Sequence, residues 1–373
     1  MKKSLLVAAL ITGFAGVAHA ETSVTLYGIV DGGIAYERVK GTVNGADYKG
    51  TRTGVLSGGQ SSSRWGLKGT EDLGNGLQAV FVLENGFSVG TGQSSQGGRM
   101  FGRQATVGLK SEAWGQLDFG RQTNIASKYF APVASPFGTD FSNARVGTTF
   151  GAADSVRHDN MVMYQTPNFA GFQFGVGYSF NNDGNQRFKQ SGGEQPNTRA
   201  WTTGLRYVNG PLAAALTYDQ LKTNGLPTSP AADRDVSIKS WNLGASYDFE
   251  IVKVHAGFGQ SRNGWLTDIE YADFELGDGY IANDGMKVNS YTLGLSAPVG
   301  ANSKVLASWG MADPKNGGVY NYNDKKQQAY SLGYTYALSK RTNVYALGSY
   351  IKNVAFQENL KSTQVGVGLR HQF

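Results

Sequence analysis

Connections that alternate between short and long constrain this chain more than any single motif does. From end to end, segments recur in which every second residue is apolar. Each reads as a strand with one apolar and one polar face. Trp241, Leu243, Ala245, Tyr247 and Phe249 share a face, opposite Ser240, Asn242, Gly244, Ser246 and Asp248. Tyr330, Leu332, Tyr334, Tyr336 and Leu338 repeat the pattern, as do Phe172, Phe174, Val176, Tyr178 and Phe180. Sixteen strands are expected: 22–37, 60–72, 76–88, 99–111, 114–122, 158–166, 171–181, 199–208, 211–220, 236–249, 252–262, 287–298, 302–312, 326–338, 342–352 and 361–373. Seven tight joints, such as 72–76, 111–113, 209–210 and 339–341, alternate with eight long polar ones at 38–59, 89–98, 123–157, 182–198, 221–235, 263–286, 313–325 and 353–360. That count puts both ends of the sheet on one side. A soluble β-sandwich has no reason for strict short-long alternation. A closed sheet crossing a bilayer has one, with tight turns on one side of the membrane and long loops on the other.

The termini agree. The chain closes on Val365, Val367, Leu369 and Phe373 at alternate positions, apart from His371, and ends on an aromatic residue. At the other end, Met1-Lys2-Lys3 precedes an apolar stretch from Ser4 to Val17 and a small-x-small site, Ala18-His19-Ala20. This is the pattern of an export leader, so residues 1–20 are expected to be removed, leaving one domain over 21–373. No apolar run of about 18 residues follows the leader, so a membrane-crossing helix is not expected. There is no Cys, so an exported chain of this size uses no disulfides. Two of the 34 Lys and Arg lie in the leader, which leaves a net charge near +4 against 28 acidic residues. That charge is too small and too dispersed for a nucleic-acid partner. Gly is abundant at 52 and Pro scarce at 9, and no fixed-period repeat supports a β-solenoid. Aromatic residues such as Tyr27, Trp114, Phe169, Tyr218 and Tyr247 fall near strand ends, where an interfacial girdle would lie.

Enzyme chemistry finds little support. Beyond the leader the only His are His158, His255 and His371. His158 stands beside Asp159 and near Asp154 and Ser155, but neighbouring residues on a strand point to opposite faces. A His-Glu-x-x-His zinc helix, paired Cys and a phosphate-binding Gly loop are all missing from the sequence, so no cofactor and no metal centre are expected. Asp268, Asp273, Glu275, Asp278 and Asp284 make the 263–286 connection acidic. A divalent cation is one reading of it; a solvated loop is the plainer one, because the spacing is no EF-hand.

Several segments carry a family resemblance. They are Glu21-Thr22-Ser23-Val24-Thr25-Leu26-Tyr27-Gly28-Ile29-Val30-Asp31, Ser63-Arg64-Trp65-Gly66-Leu67-Lys68-Gly69-Thr70-Glu71-Asp72-Leu73-Gly74, Phe101 to Leu109, Leu117 to Arg121, and Gly368-Leu369-Arg370-His371-Gln372-Phe373. In order along the chain they resemble the general diffusion porins of Gram-negative bacteria, the β-proteobacterial branch in particular. The resemblance implies an all-β fold, a 16-stranded antiparallel transmembrane β-barrel with a pore-constricting third loop, set in the outer membrane among lipid and lipopolysaccharide. It also implies a homotrimer and passive diffusion of small hydrophilic solutes and ions. Small-residue positions such as Gly102, Thr106 and Gly108 are the expected trimer contacts. A solute-selective porin and a non-conducting structural or adhesin barrel are the rival readings.

The same resemblance assigns a constriction. The 123–157 connection is the third loop, and Ser135-Pro136-Phe137-Gly138-Thr139-Asp140 matches its motif. Enterobacterial relatives carry a Glu where Phe137 stands; Asp140 fits the later acidic position, and Asp154 is a second loop carboxylate. On the opposing wall Arg64, Arg103 and Arg145 match the family's basic ladder, Glu84 matches an acidic residue facing it, and Ile29 replaces the family's lysine. Arg121 and Arg157 flank the loop and are included, although Arg121 has the parity of Leu117 and Phe119. Arg keeps its charge and is more weakly hydrated than Lys, which suits a row facing water in a narrow channel. Facing rows of opposite charge set ion preference, and with one acid lost a mild anion preference is expected.

Overall fold

The structure, a computed structural model, describes residues 23–43, 46–182, 184–193, 195–223, 236–266, 270–271, 274–275, 280–316 and 325–373. The leader 1–20 lies outside these, as do Asp268, Asp273 and Asp278 of the acidic connection. The strands are β1 (Ser23–Val43), β2 (Ala46–Ser57), β3 (Arg64–Gly74), β4 (Leu77–Gly86), β5 (Gln104–Ser111), β6 (Gly115–Thr123), β7 (Arg157–Gln165), β8 (Phe172–Ser179), β9 (Arg199–Asn209) and β10 (Leu212–Lys222). After them come β11 (Ser237–Asp248), β12 (Lys253–Leu266), a short hairpin β13 (Glu270–Tyr271) and β14 (Phe274–Glu275), then β15 (Tyr280–Pro298), β16 (Ser303–Asn316), β17 (Gln327–Ala337), β18 (Thr342–Lys352) and β19 (Lys361–Gln372).

All but the hairpin join one antiparallel sheet, which closes where β1 pairs with β19. β2 and β3 run along the same side of β1, opposite Gly32–Val43 and Ser23–Ile29 respectively, so they are two parts of one stave. The barrel therefore has sixteen staves, as the alternation predicts. Closure leaves no unpaired edge, which backbone in lipid requires.

The burial pattern is that of a soluble protein turned inside out. On β11, Ser240, Asn242 and Ser246 are buried in the interior, whereas Leu243 and Tyr247 are exposed. Thr202, Thr217, Ser290, Ser349 and Gln364 repeat the inward set on other strands; Leu216, Leu293, Leu332 and Val367 repeat the outward set. The outward face is the lipid face. On β5, Thr106 accepts a hydrogen bond from Gln104 on the interior side, and a Cβ at Gly108 would meet Asp118. Neither residue can serve the intersubunit contact expected from the sequence; Val107 and Leu109 are the exposed ones.

Two long connections are shorter than the sequence predicts. Polar residues 38–59 read as a loop, yet β1 continues to Val43 and β2 returns from Ala46 in unbroken register. Segment 263–286 is likewise invaded by the ends of β12 and β15, which pair from Gly264 to Leu266. Beyond the lipid both faces of a strand meet water, so these extensions carry Lys, Thr and Gly rather than an apolar period.

Candidate pore constriction and its two walls

The connection from Asn124 to Val156 lies inside the barrel. Its neck is tied by the Asn124 amide, which donates to the Val156 carbonyl at 2.9 Å. The Asn124 side chain donates to the Ala152 carbonyl and to Asp219 of β10, and the Ile125 amide donates to Thr202 of β9. From there a wide helical turn, Ala126–Phe130, runs into Ala131–Ala134. Ile125, Phe130, Ala131 and Ala134 are fully buried, and the Phe130 and Phe150 rings lie 4.9 Å apart.

The wall beneath the loop is built from glycine. Phe130 and Ala134 press on Gly244 of β11 and Gly257 of β12, where an added Cβ would sit 3.0–3.1 Å from them. Further along, a Cβ at Gly294 of β15 would lie 2.4 Å from Pro136, and one at Gly333 of β17 would lie 2.8 Å from Phe137. These glycines occupy inward positions of their strands. They give an apolar loop a close seat on a face that is otherwise polar. The Phe141 amide at the tip donates to the Gln60 carbonyl at 2.7 Å, and its ring meets Tyr345 of β18. The returning limb passes Gly310 of β16, where Thr149 fills the space, and His255 of β12 donates through Nδ1 to the Val133 carbonyl at 2.9 Å.

The wall around β1, β3, β4 and β19 is charged instead. Glu84 accepts a hydrogen bond from Arg103 Nε at 2.7 Å and another from Tyr27 of β1 at 3.0 Å. Arg64, the first residue of β3, donates to the Ser62 carbonyl and shares its surroundings with Arg103, Glu84, Asp140 and Arg370. Asp140 of the loop tip reaches this group: Ser61 Oγ donates to it at 3.2 Å and accepts from Arg370 Nε at 3.0 Å. Burial pushes the Asp140 carboxyl above its ordinary range, outweighing the pull of Arg64, Arg370 and Arg103.

The expected residues thus divide. Arg64, Arg103, Glu84 and Asp140 come together. Arg157 lies beside them and donates to the Arg103 carbonyl at 3.1 Å. Arg145 pairs with Asp154 of the loop's own returning limb at 2.6 Å, and that carboxylate is fully buried. Arg121 is not brought to the group. It pairs with Asp159 at 2.6 Å, which Arg99 also binds, and its Nε donates to the Gly102 carbonyl. It keeps the parity of Phe119, an exposed residue, next to the register shift between Gly120 and Gln122. His158 turns to Asn182 instead of to Asp159.

Sequence reasoning missed Arg370, Ser61, Asp31 and Tyr345. Asp31 is fully buried and accepts from the Ser61 and Gln60 amides and from Tyr345 Oη at 2.6 Å, which rivets the break between β2 and β3 to the wall. The signal was parity: Asp31 shares the inward phase of Tyr27, and Arg370 shares that of Gly366 and Gly368.

A closed barrel with a lipid-facing apolar surface, a polar lumen and a loop seated inside it defines an outer-membrane channel protein. The chain belongs to the Gram-negative porin family, whose profile matches residues 6–355. It is similar to an outer membrane porin protein of Bordetella pertussis, at 54% identity over the whole of both chains. It is also similar in structure to the anion-selective porin from Comamonas acidovorans, at TM-score 0.69 and 30% identity, covering 95% of this chain and 100% of that one. The OmpT of Vibrio cholerae in its trimer form shares the fold at TM-score 0.61 and 14% identity, covering 94% and 99%. The family's members are channels rather than enzymes, and they reside in the outer membrane.

Proposed function

We propose that the chain forms a water-filled channel in which small hydrophilic solutes and ions diffuse passively past a narrowing made by the 124–156 loop, with a mild preference for anions. One observation carries this reading. The loop turns its apolar side to the glycine wall, so the charged groups of the opposite wall, Arg64, Arg103 and Arg370, are left to face the lumen with Glu84 and Asp140. Arginines outnumber carboxylates there, and a row of fixed positive charge in a narrow aqueous passage favours anions. The anion selectivity named for the Comamonas porin supports the same sign.

Arg157 reinforces the row through Arg103, whereas Arg145 acts by holding the loop. Assembly as a homotrimer is supported by the outer surface of β1 to β5, where, Tyr36 apart, the exposed large apolar residues are aliphatic, Val24, Leu26, Ile34 and Val107 among them. Elsewhere the lipid face carries Trp201, Phe174 and Tyr330. Removal of 1–20 gives a mature chain that starts at Glu21, and the intact mass of the exported protein checks it.

Conductance of the purified protein in planar bilayers tests the channel. Discrete open steps, grouped in threes, are expected. A folded, heat-modifiable barrel that conducts nothing would show that the lumen is plugged.

A further inference from the structure

The connection after β18 turns into the mouth of the barrel. Val354, Ala355 and Leu360 are buried with Val39, Ala329 and Ile351, inward residues of β1, β17 and β18. Phe356 reaches further along the wall, where its ring meets Trp265 of β12 edge-on at 5.7 Å and shares an apolar cluster with Val288 and Ala312. The segment closes on itself through the Val354 amide, which donates to the Leu360 carbonyl at 3.0 Å. Its backbone is strained. Asn353, Ala355 and Phe356 have φ values of 55°, 52° and 61°, in the left-handed region that a Cβ disfavours. A backbone bent this way keeps its shape only while its surroundings hold it.

One side chain joins this segment to the pore loop. Gln327, the first residue of β17, is buried and stands between the two. Its Oε1 accepts from the Ala355 amide at 2.8 Å, and its Nε2 donates to the Thr148 carbonyl on the returning limb of the 124–156 loop. These partners fix the orientation of the amide, because an N–H needs its oxygen and a C=O needs its nitrogen. From Thr148 the hydrogen bonds continue to the tip. Thr148 Oγ1 donates to the Arg145 carbonyl at 2.8 Å. The Val146 amide donates to the Gly138 carbonyl at 2.9 Å, within the turn that carries Asp140. At the other end of the path, Glu358 and Asn359 stand exposed on the outer side of the segment.

We propose that Gln327 is a positioning residue that makes the 353–360 segment and the pore loop one unit, so that a displacement of the outer segment is passed to the constriction. The proposal rests on the reading of the 124–156 loop as the narrowing of a channel. It adds a route by which a contact at the outer surface changes that narrowing. The chemistry of the position calls for this residue type. A Leu of similar size leaves two buried backbone groups unpaired. A Glu keeps an acceptor for Ala355 but sets an oxygen against the Thr148 carbonyl.

The chain has no Cys, so Asn143→Cys places a single thiol at the tip of the pore loop. Its rate of modification by methyl methanethiosulfonate, in the full-length mature protein in planar bilayers, reports where the tip stands. In that background Phe356→Ala frees the outer segment and is expected to change the rate about threefold or more, the scale that packed networks transmit. Gln327→Leu is expected to shift the rate by itself, and Phe356→Ala added to it should change nothing further. Gln327→Glu should uncouple the tip in the same way, and it serves where the Leu variant fails to fold. Independent, additive effects of the two substitutions overturn the proposal. So does a Phe356→Ala that leaves the tip rate unchanged, or a Gln327→Glu that still passes the effect on. Conductance is read on the same proteins. A barrel that conducts and shows additive shifts overturns the positioning role alone; one that does not conduct overturns the channel reading.

Discussion

The two walls of the lumen face each other across the same water and are built from opposite materials. From β8 to β17 the inward positions next to the loop are small, and Gly244, Gly257, Gly294 and Gly333 admit Phe130, Ala134, Pro136 and Phe137. Around β1, β3, β4 and β19 the inward positions are Tyr27, Arg64, Glu84 and Arg370, tied by hydrogen bonds of 2.7–3.0 Å. The difference teaches that apolar packing on one wall fixes where the loop lies, while the proposed function gives the charge on the other the task of selecting what passes. The two jobs are done by different residues, so they should fail separately.

The largest break should come from the packing side. Phe130→Ala removes a fully buried ring from the contact with Phe150 and the glycine seat. Truncations of this kind cost about 3–5 kcal/mol. The expected result is a loop that leaves its seat, read as noisier and larger conductance steps, with the sign of ion preference retained. Filling the seat acts in the same direction with a smaller effect: Gly257→Val puts side-chain atoms where Phe130 and Ala134 lie, at a cost of about 1–3 kcal/mol. Its check is the temperature at which the folded barrel loses its fast electrophoretic mobility.

Charge reversal should do the converse. Arg64→Glu with Arg103→Glu leaves the loop's apolar seat intact and is expected to turn anion preference into cation preference. A change in permeability ratio on the order of tenfold, about 1.4 kcal/mol, is the scale to look for. Arg370→Gln removes one of the wall's cations and loosens Ser61 from the loop tip, so a loss of about twofold in anion preference is expected on the same scale. If Arg370→Gln leaves the permeability ratio untouched, Arg370 belongs to the tip anchor and not to the field.

The smallest effect is with pH. Burial holds the Lys128 ammonium on the loop down at about 8, and its Nζ donates to Gln122 at 2.7 Å. Lys128 is a cation below that pH and neutral above it. The raised Asp140 carboxyl works at the acid end: protonation removes a negative charge from the loop tip sooner than for an ordinary carboxylate. Both shifts have the same sign for the pore, so anion preference should decline steadily as pH rises. Lys128→Gln should flatten the alkaline part of that curve only.

Much of this fold is legible in the order of the residues alone. Strict alternation and the short-long rhythm of the joints yield the sixteen staves, because a strand half in lipid must sort its residues by face. The same sorting makes Arg64 and Glu84 readable as inward. It fails where lipid ends: 38–59 carries no apolar period, yet register with β19 and β2 holds it as strand. It fails again at Arg103, which shares the parity of Ala105 but precedes β5 and bends inward to Glu84. Arg121 goes elsewhere: it sits at the register shift between Gly120 and Gln122, and Asp159 holds it away from the group. Arg370 lies in plain view on the inward phase of the last strand, but its role depends on Ser61, which belongs to a break in a stave that no local pattern marks.

The most direct test of the arginine wall is the reversal potential of the unaltered protein in a planar bilayer under a potassium chloride gradient at neutral pH. A potential displaced toward the chloride equilibrium value is predicted, and it should cross zero in the Arg64→Glu, Arg103→Glu variant. A wild-type potential displaced toward potassium would contradict the claim that the arginine wall sets the field.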